Sequence, residues 1–158
     1  MVAAIGGSLR AVSATRLAIV ASFGAGLAGA AQATISGAFG RRIGTVQAAA
    51  FGGILAALIL LVLVVALGRA DGLAHGLREP VWLWLGGPLG ATIVIAVAYA
   101  PPRIGTFATV ALLIAGQLLA GTLIDAFGLF GSERIPLTVW RVAGLVLVAA
   151  GAALTLRR

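Results

Sequence analysis

Five long apolar runs alternate with short breaks along the chain, at 17–39, 46–67, 81–100, 104–124 and 138–156. An α-helix needs about 20 residues to cross a hydrocarbon core of about 30 Å, and each run meets or approaches that length. The breaks hold most of the charge: Arg41 and Arg42; a loop at 68–80 with Arg69, Asp71, His75, Arg78 and Glu79; then Pro102-Arg103; then the glycine-rich, aromatic stretch 125–137. A helix satisfies its own backbone hydrogen bonds, which lipid cannot do. The pattern therefore predicts an all-α integral membrane protein with five transmembrane helices. One five-helix domain covers 16–158, after a short, weakly basic segment at 1–15 expected to be loosely ordered or to lie at the interface.

Polar residues inside the runs are few and recur at helical spacing. Gln117, Gly121 and Asp125 fall within about 80° of one another on a helix. The fourth run thus has one narrow polar strip on an otherwise apolar surface. Gln32 and Ser36, also four apart, share a face near the end of the first run. The second run is almost purely aliphatic from Ile54 to Leu67 and reads as a lipid-facing or scaffold element. The third opens on Trp82 and Trp84, where aromatic belts sit, and then has Gly86-Gly87-Pro88-Leu89-Gly90. Pro88 lacks a backbone donor and is expected to kink this helix, so Gly87, Pro88 and Gly90 form a candidate hinge. In the fifth run Gly144 and Gly151, one heptad apart, suit a close helix contact.

Composition agrees with the pattern. The chain is 61% hydrophobic and 9% charged, against about 25% charged in a soluble domain. A soluble protein of 158 residues has too little interior to hide so much apolar surface. The basic residues, all arginines, stand singly or in pairs, so no basic patch for nucleic acid is formed. Cysteine is absent, which excludes disulfides and thiolate chemistry. Ala31-Gln32-Ala33 has the form of a signal-peptidase site, but the apolar character continues to Phe39, and an uncleaved first span is expected.

Charge changes the picture most when it is sorted by membrane side. Five spans put the termini on opposite sides. One side then carries Arg10, Arg16, Arg69, Arg78, Arg134 and Arg141, and the other Arg41, Arg42, Arg103, Arg157 and Arg158. Arginine bias sets orientation, and six against five is almost no bias. Insertion in both orientations is expected. Two copies could then pair antiparallel into a ten-helix assembly with the inverted repeat that many transporters carry in one chain.

Several motifs occur in an order that resembles a known family. They are Gln32 with Phe39-Gly40-Arg41; Trp82-Leu83-Trp84-Leu85-Gly86-Gly87 with Gly90; Pro102-Arg103-Ile104-Gly105; Ala115-Gly116-Gln117-Leu118 with Asp125-Ala126-Phe127-Gly128-Leu129-Phe130-Gly131; and Arg141-Val142-Ala143-Gly144 with Gly151. Together they resemble the YdcZ-like bacterial inner-membrane proteins of the drug/metabolite transporter superfamily, over about residues 17–156. The family pattern has an asparagine four residues after the first glutamine, where this chain has Ser36. The resemblance implies a multi-pass protein of the bacterial inner (cytoplasmic) membrane. It implies a small transporter with five helices per chain, working as an antiparallel homodimer or with a homologous chain.

The polar residues admit two kinds of role. Gln117, and likewise Gln32 and Ser36, can be interhelical glue or can line a substrate path, with Gly121 leaving room beside Gln117. Trp84 and Tyr99 can be interface anchors or path residues. Asp125 is either a solvated or arginine-paired carboxylate at the membrane edge, or a gate or coupling group. The related small multidrug transporters bind cations on a glutamate deep in the first helix; here no acid lies mid-membrane. A neutral, zwitterionic or anionic small molecule is therefore the expected substrate. His75 with Asp71 and Glu79 reads as a solvated polar loop, not a metal site, and no catalytic arrangement or cofactor motif is visible. The function expected is a small-molecule exporter working by alternating access. The alternative is a non-transporting membrane scaffold or assembly subunit.

Overall fold

The computed structural model describes residues 2–157, with side chains from residue 14 onward. The side chain of Arg10 and all of Arg158, both counted in the charge balance, lie outside the described residues. The described chain is all-helical. It runs through α1 (Val2–Ile43), α2 (Thr45–Ala66), a short α3 (Asp71–Gly76), a 3-10 turn (Val81–Leu85), α4 (Gly86–Tyr99), the single turn α5 (Pro101–Ile104), α6 (Thr106–Phe127), a second 3-10 turn (Leu129–Gly131) and α7 (Val139–Leu154). Four segments are long and apolar enough to cross a membrane: Ala14–Ile43, Thr45–Ala66, Val81–Ile104 and Thr106–Phe127. The fifth, α7, is apolar but has 16 residues, about 24 Å of helix.

Two helix reversals hang on single glycines. Gly44, at φ 100°, separates α1 from α2, and Gly105, at φ 84°, separates α5 from α6. Each is a backbone conformation that a Cβ would strain. With only one residue between helices, α1 runs on to Ile43, and Arg41 and Arg42 sit in its last turn, where a positive charge suits the helix dipole. The third span is segmented. Its first turn, holding Trp82 and Trp84, is 3-10 rather than α, and Pro88 falls in the first turn of α4. There its missing N–H leaves no intrahelical bond unmade. Pro101 and Pro102 open α5 in the same way.

Helix α1 is central. It packs against α2, α4 and α6, while α7 is held by α6. The buried apolar residues are small: Ala33, Ala48, Ala49, Val97, Ala98, Ala108 and Ala152. Helices in lipid have no hydrophobic force pressing them together, so close backbone approach takes its place. The tightest approach is near the Gly44 turn. A Cβ on Gly37 would stand 3.0 Å from Cδ of Pro102, and one on Gly40 would stand 3.1 Å from the Ala98 carbonyl oxygen. Beside it, the Thr34 and Thr106 hydroxyls hydrogen-bond each other at 3.0 Å and tie α1 to α6. Many large apolar side chains, including Leu17, Ile19, Leu58 and Leu147, are exposed on the outside of the helices.

The opposite end is closed by loops. Trp84 Nε1 donates to the Gly76 carbonyl at 3.2 Å, and Trp82 stacks on Phe130 with ring centroids 6.2 Å apart. Phe130 is the one non-glycine residue with positive φ among those described, at 57°. That conformation costs on the order of 1–3 kcal/mol in a bulky residue, and the Trp82 stack helps hold it. Gly128 caps α6 in the left-handed conformation, and Arg134 Nε donates to the Ala126 carbonyl at 3.0 Å.

Candidate functional site

The polar residues of the spans converge on α6. Gln117 stands mid-helix and lines three grooves. The largest, about 780 Å³, lies between α1, α4 and α6, with Gln32 and Gln117 among walls of Phe23, Gly26, Gly29 and Val97. A second, about 420 Å³, separates α4 from α6 and is otherwise apolar but for Thr109. A third, about 380 Å³, is a slot between α6 and α7. The amide is thus accessible on more than one side of its helix, and both Gln32 and Gln117 are exposed.

The α6–α7 slot contains the whole polar strip read from the sequence. Gln117, Gly121 and Asp125 line it from α6, facing Arg141, Gly144 and Val148 of α7. At its outer end Arg141 Nη1 donates to Asp125 Oδ2 at 3.0 Å. Of the roles left open for Asp125, the arginine-paired one has its partner in Arg141, sixteen residues on. Both side chains are about one-third exposed, at 33% for Asp125 and 37% for Arg141. Arg141 lies in the first turn of α7, whose N-cap Thr138 accepts its backbone N–H at 3.4 Å. A guanidinium at the positive end of a helix is unfavourably placed, and the Asp125 carboxylate offsets that.

Other positions singled out in the sequence lie elsewhere. Ser36 is half-buried one turn beyond Gln32 and lines none of these three grooves. Trp84 is engaged with the Gly76 carbonyl at the start of the third span. Tyr99, at the end of α4, has the Arg103 guanidinium 3.5 Å over its ring, and its carbonyl accepts from Arg103 Nη1 at 2.6 Å. Gly87 and Gly90 line an apolar groove of about 860 Å³ between α2 and α4, with Ala50, Gly53 and Ala57 opposite. In the loop 68–80, His75 Nδ1 lies 2.8 Å from the Asp71 carbonyl oxygen, a contact within α3. Arg141 is the site residue that sequence reasoning missed: it entered the arginine count and one of the motifs that carry the family resemblance, not the candidate site. The available signal was a lone arginine at the start of an apolar run, one hairpin away from a lone acid.

No curated protein and no solved structure matches the chain. Residues 17–154 match the family described as "Putative inner membrane exporter, YdcZ", which is not an enzyme family. Gln32, Gln117, Asp125 and Arg141 all lie within that match, and the chain belongs to the YdcZ family as a multi-pass protein of the inner membrane.

Proposed function

We propose that the protein is a small-molecule carrier of the inner membrane that works by alternating access. The observation that carries this reading is Gln117, an uncharged amide at mid-helix with open grooves around it and Gln32 across the largest. An amide kept only as glue would be enclosed by its partner helix, because an unpaired polar group in hydrocarbon is costly. Among the described residues, neither Gln32 nor Gln117 has a hydrogen-bonding partner. A hydrated path satisfies both.

The working unit in this reading is an antiparallel dimer of five-span chains, ten helices in all, formed by two copies or by one copy and a homologous chain. Helix α7 serves as the fifth span; at about 24 Å it is short, and local thinning of the bilayer accommodates such a mismatch at modest cost. A second copy would cover the open side of the α1–α4–α6 groove. Ser36, Trp84 and Tyr99 belong to the path only through that dimer. The start of α4 is the moving part: Gly87 and Gly90, on either side of Pro88, border the open groove against α2, which leaves this end room to shift. The spans hold no acid before Asp125, which favours a neutral, zwitterionic or anionic substrate.

Replacing Gln117 by leucine tests the reading. In proteoliposomes, Gln117→Leu is expected to abolish flux while the detergent-solubilised dimer, followed by cross-linking, persists. Loss of the dimer would favour a scaffold, and unchanged flux would remove Gln117 from the path.

A further inference from the structure

The Asp125–Arg141 pair is joined by one hydrogen bond. Among the described residues, Asp125 Oδ1 and Arg141 Nε and Nη2 have no partner. Both side chains border the α6–α7 slot, so their spare acceptor and donors adjoin a space of about 380 Å³. A Cβ added to Gly121 or Gly144 would meet nothing within 4 Å, so the space extends past the pair towards Gln117. Leu118, Leu145 and Val148 line the rest of the wall together with Thr122, whose hydroxyl is turned onto the Leu118 carbonyl at 2.7 Å.

We propose that Asp125 and Arg141 together form a binding site for a zwitterion, an ammonium and an anionic group a few ångströms apart on one molecule with a short apolar tail. The site rests on the carrier reading above and narrows its substrate class. Insertion of such a ligand exchanges one ion pair for two, ammonium on Asp125 and anion on Arg141. A ligand with a single charge pairs one protein charge and leaves the other without a partner, a modest cost for a pair about one-third exposed. The apolar tail would lie along Leu118 and Val148, towards Gln117. The same zwitterion chemistry has two sources at this depth: a free amino-acid-like solute, or the headgroup of phosphatidylethanolamine.

The test uses the full-length purified protein and thermal unfolding followed by its tryptophans. Three soluble probes share one apolar tail: leucine, leucinamide and 4-methylpentanoate. The protein is also reconstituted in phosphatidylglycerol vesicles with and without phosphatidylethanolamine. A ligand that binds the folded state raises the unfolding temperature. Leucine is expected to do so at concentrations at least about tenfold lower than either singly charged analogue; the factor is modest because the pair is partly exposed and screened. Arg141→Gln should abolish the response. The double variant Asp125→Asn/Arg141→Gln, which removes both charges so that neither is left unpaired, serves if the single variant does not fold, and should be equally silent. An Arg141-dependent response to phosphatidylethanolamine without one to leucine supports the site with lipid as its source. Equal responses to all three probes, a response that survives Arg141→Gln, or no response to any probe or lipid would overturn it. Leucine flux in proteoliposomes separates the two readings. Binding without flux removes the carrier and leaves the site; flux undiminished in Arg141→Gln leaves the carrier and removes the site.

Discussion

At the scale of single residues, two contacts invite opposite intuitions about stability. The Asp125–Arg141 ion pair is conspicuous, yet it is about one-third exposed, and such pairs contribute at most about 1 kcal/mol. Gly40 is inconspicuous, yet a Cβ there would stand only 3.1 Å from the Ala98 carbonyl oxygen, and backbone cannot swing aside. Gly40→Leu would force α1 and α4 apart at their closest point, an overpacking that costs about 1–3 kcal/mol. Unfolding of purified protein in detergent should therefore show a clear loss of thermal stability for Gly40→Leu and a smaller one for Asp125→Asn. The reverse order would mean that the ion pair, rather than backbone contact near the Gly44 turn, holds the helices. Asp125 was legible in the sequence as a candidate, but which arginine it meets was not. Arg141 meets Asp125 only because the stretch 128–138 folds back, and a periodicity argument sees one helix at a time.

At the scale of elements, four of the five expected spans were legible to within about four residues, although the helix of the first begins at Val2, and the fifth run forms the shorter apolar helix α7. The bilayer imposes a length, and the charged and proline-containing breaks are short. Less legible was how those breaks are made. The first and second spans are separated by Gly44 alone, and the third begins as a 3-10 turn, so the expected kink at Pro88 is not where regular α geometry begins. A proline near the start of a run has two outcomes, kinking a helix or starting one, and hydropathy does not distinguish them. The packing order also has a dynamic consequence. Helix α1 touches three other long helices, whereas α7 is held by α6. Segments with few packed neighbours open at lower free energy than the core. Hydrogen exchange of the detergent-solubilised protein should therefore reach the amides of Val139–Leu154 before those of the packed end of α1, around Ala33–Gly40. Uniform protection across both would show that α7 is covered by another chain, as the antiparallel dimer requires of some face.

At the scale of the whole molecule, the question is which way the chain faces. If α7 is the fifth span, arginine counts of six and five leave the two orientations close to equal in the quantity that governs insertion. The acids do not break the tie, because although Asp71, Glu79, Asp125 and Glu133 all fall on the side with six arginines, carboxylates contribute little to orientation. An antiparallel dimer turns this near-equality into a requirement. If one copy must point each way, a chain forced into a single orientation is inactive however well it folds. Arginines added to the exposed loop 132–137 would bias one version, and arginines added after Leu156 would bias the other. Each version alone should give a C-terminal reporter signal from one side of the membrane and no transport, while the unmodified chain gives signal from both. Co-expression of the two biased versions should restore transport, since together they supply one chain of each orientation. Activity of either biased version alone would instead make a single orientation sufficient, and the unit would then be a parallel assembly or a lone chain.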